Sequence, residues 1–403
     1  MILPLSVRSL LTATVTISSL DNRAAAPPET SRAAVNLERA QVASSAISAL
    51  DTYYSKERLQ WTNISSWVAA NVYNDIMDFD LFANTKQYEE TYGASLRTVA
   101  TSPDAQKAVQ SVNEFNDDQL WWCLAMIRAY QNYGHKELLD QSIKQWKDIG
   151  ADAQVFKSDQ GTTVTKGGIT RDMPIPADCD VDGAVYWSSE THSSLNAIST
   201  SLYAQVGAWL WAITQDQAFR GPTDSALGWL QRRMLDTKTG IMVVDALVPE
   251  GCEPRPGALT YNTGVYIGAL TSMYMTSRDT KYLDAATLSA TSTANGAFGN
   301  NYDASLVITE ESELVERKDA VQWRDALFRN MADFYITIGA AGQVSDGLKS
   351  NVKAFFQANY DRVQQQAKFG DLYAANWWGK LNTGSDWGTG SVLGLLVGAA
   401  LVL

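Results

Sequence analysis

Two acidic residues stand side by side in the run Asn113-Glu114-Phe115-Asn116-Asp117-Asp118-Gln119-Leu120-Trp121-Trp122. Neighbouring carboxylates can divide acid and base work, because the charge on one raises the proton affinity of the other. Such a pair suits cleavage of an acetal between sugars: one carboxyl protonates the leaving oxygen and the other meets the developing oxocarbenium ion. Retaining chemistry places the two groups about 5–5.5 Å apart, and inverting chemistry about 6.5–9.5 Å. Adjacent residues at a helix start reach the first separation and hardly the second. The same residues have a plainer use, since Asn116 or Asp117 makes a good N-cap and acids favour a first helical turn. A magnesium-binding helical cyclase would need a further Asp, but Gln119, Leu120 and Trp121 follow the pair.

The element that must carry the acids is distinctive. From Leu120 to Tyr130 the sequence is apolar almost all round, broken only by Arg128, and a helix apolar on every side is buried on every side. The next helix, 136–149, has one apolar stripe of Leu138, Leu139, Ile143, Trp146 and Ile149. An inner buried helix followed by an outer amphipathic one is the unit of an (α/α) toroid, with the acids at its mouth. Helical spacing recurs over 193–213, where Leu195, Ile198, Leu202, Val206, Trp209, Leu210 and Ile213 share a face. Similar patterns cover 33–54, 64–81, 103–113, 224–236, 262–277, 280–292, 319–338 and 346–364. Only Ile241 to Val244 and Val307 to Thr309 read as strands. No linker divides the body, and the irregular stretch 157–190 is long enough to suggest a functional loop.

Composition narrows the chemistry. The chain has 32 Lys+Arg against 44 Asp+Glu, a net charge of −12, which argues against a nucleic-acid partner because backbone binding needs clustered cations. Two histidines, His135 and His192, and three cysteines leave little stock for a zinc site or a Ser-His-Asp triad. Carboxylate chemistry needs neither, so no cofactor or metal is expected. The 13 Trp and 17 Tyr suit a heavy core and stacking on sugar rings. Trp122, one turn from Asp118, is the expected cleft-lining tryptophan of its helix. Tyr186 and Trp187 in the long loop are candidate sugar platforms. Asn196 and Asn262 could bond sugar hydroxyls or cap their helices. Glu310, Glu311 and Glu313 read as a solvated charge run, and His192, Asp180 and Asp182 as surface groups. Cys179 and Cys252, both in polar Pro-containing loops, could pair, whereas Cys123 sits in an apolar helix.

The ends suggest export. Residues 1–26 have the apolar and small-residue pattern of a secretory signal. The run 382–403 combines small residues, a polar spacer and the uncharged terminus VLGLLVGAALVL, the pattern of a lipid-anchor (GPI) attachment signal. These readings bound a single domain at 33–380, on a secreted or surface-tethered protein that meets a membrane only through the anchor. Asn63-Ile64-Ser65 is a glycosylation sequon.

The run NEFNDDQLWWCLAMIRAY resembles the core motif of glycoside hydrolase family 76, the endo-α-1,6-mannanases. Four further stretches follow in that family's order: Asp182 to Ser188, Asn196-Ala197-Ile198, Tyr261 to Gly268, and Gln322 to Arg329. The likeness runs over roughly 35–380. It implies an all-α (α/α)6 barrel and a retaining mechanism, with Asp117 as nucleophile and Asp118 as general acid/base. The implied substrate is α-1,6-linked mannan of a fungal-type wall, with water or a second sugar as acceptor and the protein acting as a monomer. Ala184, Tyr186, Leu195 and Thr263 depart from the family pattern. A fold-retaining, non-catalytic mannan binder or wall tether is the rival reading.

Overall fold

The computed structural model describes residues 35–109, 115–166, 169–310, 322–339, 341–378 and 384–403. The expected leader 1–26, Asn113 and Glu114, Glu311 and Glu313, and Asn382-Thr383 of the expected attachment site lie outside the described residues.

Helices alternate between two layers. The outer ones are α1 (Leu37–Leu50), α3 (Ala94–Thr101) with the short α4 (Pro103–Val109), α6 (Lys136–Ala153), α8 (Arg220–Arg233), α10 (Thr280–Ala294) and α12 (Asp346–Arg362). The inner ones are α2 (Ser66–Ala83), α5 (Asn116–Tyr133), α7 (Ala197–Thr214), α9 (Thr260–Ser277), α11 (Trp323–Phe334) and α14 (Leu393–Val402), the last preceded by the short α13 (Asp386–Gly390). Each inner helix packs on the next, and α14 packs on both α11 and α2 to close the ring. The architecture is an (α/α)6 toroid. Strict alternation makes the inner helices parallel, so their N-termini gather at one rim.

The sixth inner helix lies within 382–403, the run read as an attachment signal, and carries the ring past residue 380. Residues 393–402 are all buried, and the Asn36 backbone N–H donates to the Ala400 carbonyl at 2.8 Å, joining the two ends of the ring. The absence of a polar face follows from helices on every side. The glycines are close-approach positions. A Cβ on Gly394 would stand 2.7 Å from the Asp325 carbonyl oxygen, and one on Gly398 would stand 2.7 Å from the Phe356 ring. Among the described residues no helix is long and apolar enough to cross a membrane.

Charges tie the ring internally. Arg329 on α11 bonds Asp75 on α2 at 2.9 Å and lies 3.5 Å from Asp325. Arg128, the one charge in the apolar run of α5, meets Asp78 at 2.9 Å and also Asp333. Asp325 in turn accepts the Gly394 backbone N–H at 2.7 Å. All six side chains are nine-tenths or more buried, and four carboxylates share two guanidiniums. Burial, the largest influence on each acid, raises all four carboxyls, Asp78 to about 7. An acid whose folded pKa is raised contributes stability that is complete below the unfolded value and is lost as pH rises through the folded one. The thermal midpoint should therefore fall as pH rises from about 4 to about 7, and Asp78→Asn should flatten that fall. A midpoint that rises across this window, or a slope unchanged in Asp78→Asn, would contradict the assignment.

Small sheets decorate the rim. Val244–Val248 pairs with Leu195–Asn196 on one side and with Glu253–Pro256 on the other. The long loop holds a hairpin of Thr163–Lys166 and Ile169–Asp172. Of the two expected strands, Ile241 to Val244 divides between short strands at Ile241–Met242 and Val244–Val248, and Val307 to Thr309 supplies only a bridge between Ile308 and Tyr302.

Candidate active site

Asp117 and Asp118 occupy the first turn of α5, whose N-cap is Phe115, without a side-chain capping bond. Asp117 is buried and Asp118 half-buried. Burial, and after it the charge of Asp118, pushes the Asp117 carboxyl well above its ordinary range, against the lowering influence of the first-turn amides and the Trp187 side chain. One Asp117 oxygen, Oδ1, is buried with no hydrogen-bond partner. An orphaned buried oxygen costs about 1–3 kcal/mol, and such exceptions concentrate where a site has a use for them. Two carboxylates this strongly coupled titrate as a pair, and the pair keeps one proton above the ordinary carboxylate range.

Two rim segments surround the acids. The 183–189 loop brings Trp187, stacked on Phe115 with centroids 4.2 Å apart. The loop can pass so close to α8 because Gly183 has φ +101° and a Cβ there would meet the Ser225 carbonyl at 2.2 Å. Opposite, the start of α9 supplies Tyr261, stacked on Trp323 of α11 at 5.4 Å. The Tyr261 hydroxyl is driven up by burial and by the charges of Asp245, Asp117, Glu310 and Asp118, which places Tyr261 among all these acids. Asp245, half-buried on the Val244–Val248 strand, accepts a 2.9 Å bond from the Asn262 amide. Asp118, Trp187, Tyr261 and Trp323 are all half-buried, so the rim gathers acids and partly exposed aromatic rings, a set suited to pyranose rings.

Several expected cleft residues serve the packing instead. Trp122 is fully buried between α5 and α2, its indole donating to Ser66 Oγ at 3.2 Å and its ring against Tyr73. It shares a face with Asp118, but one turn deeper that face meets α2. Tyr186 is 2% exposed, covered by the His192 ring at 4.1 Å in a parallel stack, so it cannot offer a face to sugar. Asn196 caps α7 by accepting the Ser199 N–H at 3.0 Å. Asn262 is fully buried and reaches the cleft only through Asp245. Glu310, expected to be solvated, is buried and accepts the Thr260 N–H at 2.7 Å, anchoring the start of α9.

The residues of this rim that the sequence did not single out are Asp245, Tyr261 and Trp323. Tyr261 and Trp323 lay within noted segments, each immediately inside an inner helix, the same position as the acids. Asp245 carried no such signal.

Cys179 and Cys252 are joined, with Cα atoms 5.7 Å apart. The bond links the loop that delivers Trp187 to the turn after the Asp245 strand. Cys123 is buried and unpaired. Asn63 is exposed, with its side-chain amide 3.4 Å from Asp386. Among the described residues no group of three or more His, Cys, Asp or Glu side chains could hold a metal ion.

The sequence pattern of glycosyl hydrolase family 76 matches residues 38–397, and the chain belongs to that family. The match runs into the first half of α14, in keeping with its place in the ring. The fold is similar to the α-1,6-mannanase GH76A of Salegentibacter sp. HEL1_6, at TM-score 0.73 and 18% identity over 91% of this chain and 100% of that one. An inactive variant of that enzyme, with two neighbouring aspartates replaced by alanine, was solved with α-1,6-mannotetrose and matches at TM-score 0.74 and 18% identity, covering 91% of this chain and 99% of that one. Dfg5 from Chaetomium thermophilum, solved with glucosamine, matches at TM-score 0.66 and 14% identity over 91% of this chain and 90% of that one. None of the curated proteins compared matches the sequence.

Proposed function

We propose that the protein is a retaining endo-acting glycosidase that cleaves α-1,6-linked mannan by double displacement. Asp117 attacks the anomeric carbon while Asp118 protonates the departing oxygen. Asp118 then takes a proton from water, or from a sugar hydroxyl if the acceptor is a second glycan, as that oxygen attacks the anomeric carbon and releases the Asp117 carboxylate. The observation that carries the reading is the adjacent acid pair in the first turn of an inner helix, one oxygen of Asp117 buried and unbonded, in a chain of this family. The roles divide by surroundings. Asp117 has the indole and the helix amides to steady its charge, while half-buried Asp118 can exchange a proton with the cleft. In the empty site Asp117 is the acid held well up, so catalysis requires the shared proton to sit on Asp118 once sugar is bound.

Departures from the family pattern fall away from the sugar. Ala184, Tyr186, Leu195 and Thr263 are each 2% exposed or less, and Thr263 accepts the Met242 N–H at 3.1 Å. They alter packing behind the rim, which supports retained chemistry over a bare mannan binder. The disulfide supports folding in an oxidising compartment, consistent with an extracellular wall substrate. Incubation with α-1,6-mannan should yield shorter, or elongated, oligosaccharides with the anomeric configuration kept. Binding without any product would favour the tether reading, and an inverted product would exclude Asp117 as nucleophile.

A further inference from the structure

Helix α9 begins without a cap of its own. Its N-cap is Leu259, which offers no side-chain bond, and the amides of a first helical turn need partners when they are buried. The partner comes from a distant part of the chain. Glu310, 4% exposed, accepts the Thr260 N–H at 2.7 Å through one carboxylate oxygen and the Thr260 hydroxyl through the other. A carboxylate in this place also meets the positive end of the helix. The same segment holds the residue on the far side of Leu259, because Asn301 Nδ2 donates to the Ala258 carbonyl at 2.9 Å. Leu259 is therefore bracketed front and back. The bracket is itself fixed. The Thr309 N–H donates to the Asn301 carbonyl at 2.8 Å, and the Ile308 N–H donates to Asn359 Oδ1 on outer helix α12 at 3.0 Å. Tyr261 follows Thr260 directly. After it, the Asn262 amide bonds Asp245 and the Thr263 hydroxyl accepts the Met242 N–H. The main chain is pinned on either side of the tyrosine, whose ring lies on Trp323, the first residue of α11, at 5.4 Å with 26° between the planes. Both rings stay half-buried.

We infer that Glu310 is a positioning residue for the sugar site: from behind the rim it sets the first turn of α9 and so holds the Tyr261 ring on Trp323 as one platform for a pyranose face. The consequence for sugar rests on the mannanase reading, and the placing of the ring does not. A platform away from the breaking bond holds substrate and transition state about equally, so its loss raises KM more than it lowers kcat.

Two measurements test this. In the free protein, the Trp323 indole N–H resonance, assigned by its loss in Trp323→Phe, feels the ring current of Tyr261 and should shift in Tyr261→Leu. In Glu310→Ala it should shift the same way. Thr260→Val, which removes only the hydroxyl bond, should move it by less, and Glu310→Gln, which keeps an acceptor for the Thr260 N–H, least of all. With α-1,6-linked mannotetraose as substrate, Glu310→Ala should raise KM by roughly three- to tenfold, the worth of one stacking contact, and change kcat by less. In a Tyr261→Leu background it should add little further, because the two changes remove the same contact. A Glu310 that only steadies the fold would lower the melting temperature, leave the Trp323 resonance in place and cost the same in both backgrounds, which would overturn the inference. Should Glu310→Ala fail to fold, Thr260→Val decides, and an unmoved resonance there counts against it. A wild-type protein that neither binds nor cleaves the oligosaccharide would overturn the mannanase reading and the sugar platform with it, while a moved resonance would still show Tyr261 placed by Glu310.

Discussion

Asp117→Asn is expected to cut turnover of α-1,6-mannan by on the order of 10³-fold or more, as losing a nucleophile does. The melting temperature should hold or rise. Asparagine keeps the volume of the side chain and removes a carboxyl whose charge is disfavoured by burial and by Asp118. Functional groups held in unfavourable surroundings commonly cost stability, and here the unbonded Oδ1 is the visible cost. Asp118→Asn should cost about 10²–10⁴-fold, the usual share of a general acid. It should also let Asp117 ionise at lower pH, since the neighbouring charge that raises it is gone. Released oligosaccharides measured across pH, beside thermal melts, check both. Turnover within tenfold of wild type in either variant, with the fold intact, would remove the acid pair from the mechanism.

Removal of residues 386–403 is expected to abolish folding. The segment holds Val392, Leu393, Leu395, Leu396, Val397, Leu401 and Val402, all buried. At about 1.5–3 kcal/mol for each buried aliphatic side chain, their loss is worth roughly 10–20 kcal/mol, as large as the whole net stability of an ordinary domain. It would also strip Asp325 of its bond to the Gly394 N–H and leave Arg329 and the other buried charges facing an open seam. A point variant makes the same test with less violence. Gly398→Leu must place its side chain where Phe356 and Ala332 already stand within 2.7 and 3.1 Å of a Cβ, and should melt far below wild type or fail to accumulate as soluble protein. Gly347→Ala, on outer helix α12 with only the Ser345 hydroxyl nearby at 3.8 Å, serves as the control. A cooperative unfolding transition in the truncated protein would show that the ring does not need its sixth inner helix.

The amino-acid sequence determined the helical layers, because burial leaves a periodic trace. The stripe of α6 and the all-round apolar run of α5 told outer from inner, and the run Leu120 to Tyr130 lies wholly within α5. It also determined the acid pair, since adjacency at a helix start needs no tertiary information. It could not determine what surrounds an apolar segment. Lipid and protein interior impose the same composition, so the apolar run of α14 carried no sign that it packs inside the ring. Nor could it say which aromatic faces the cleft. Trp122 and Trp187 are equally apolar, and helical phase put Trp122 on the correct side without revealing that α2 covers that side one turn down. Asp245 and Tyr261 joined the acids only when the parallel inner helices brought their N-termini to one rim. The rim depends on contacts such as Phe115 with Trp187 and Tyr261 with Trp323, between separate helices and loops, and local spacing carries no record of them.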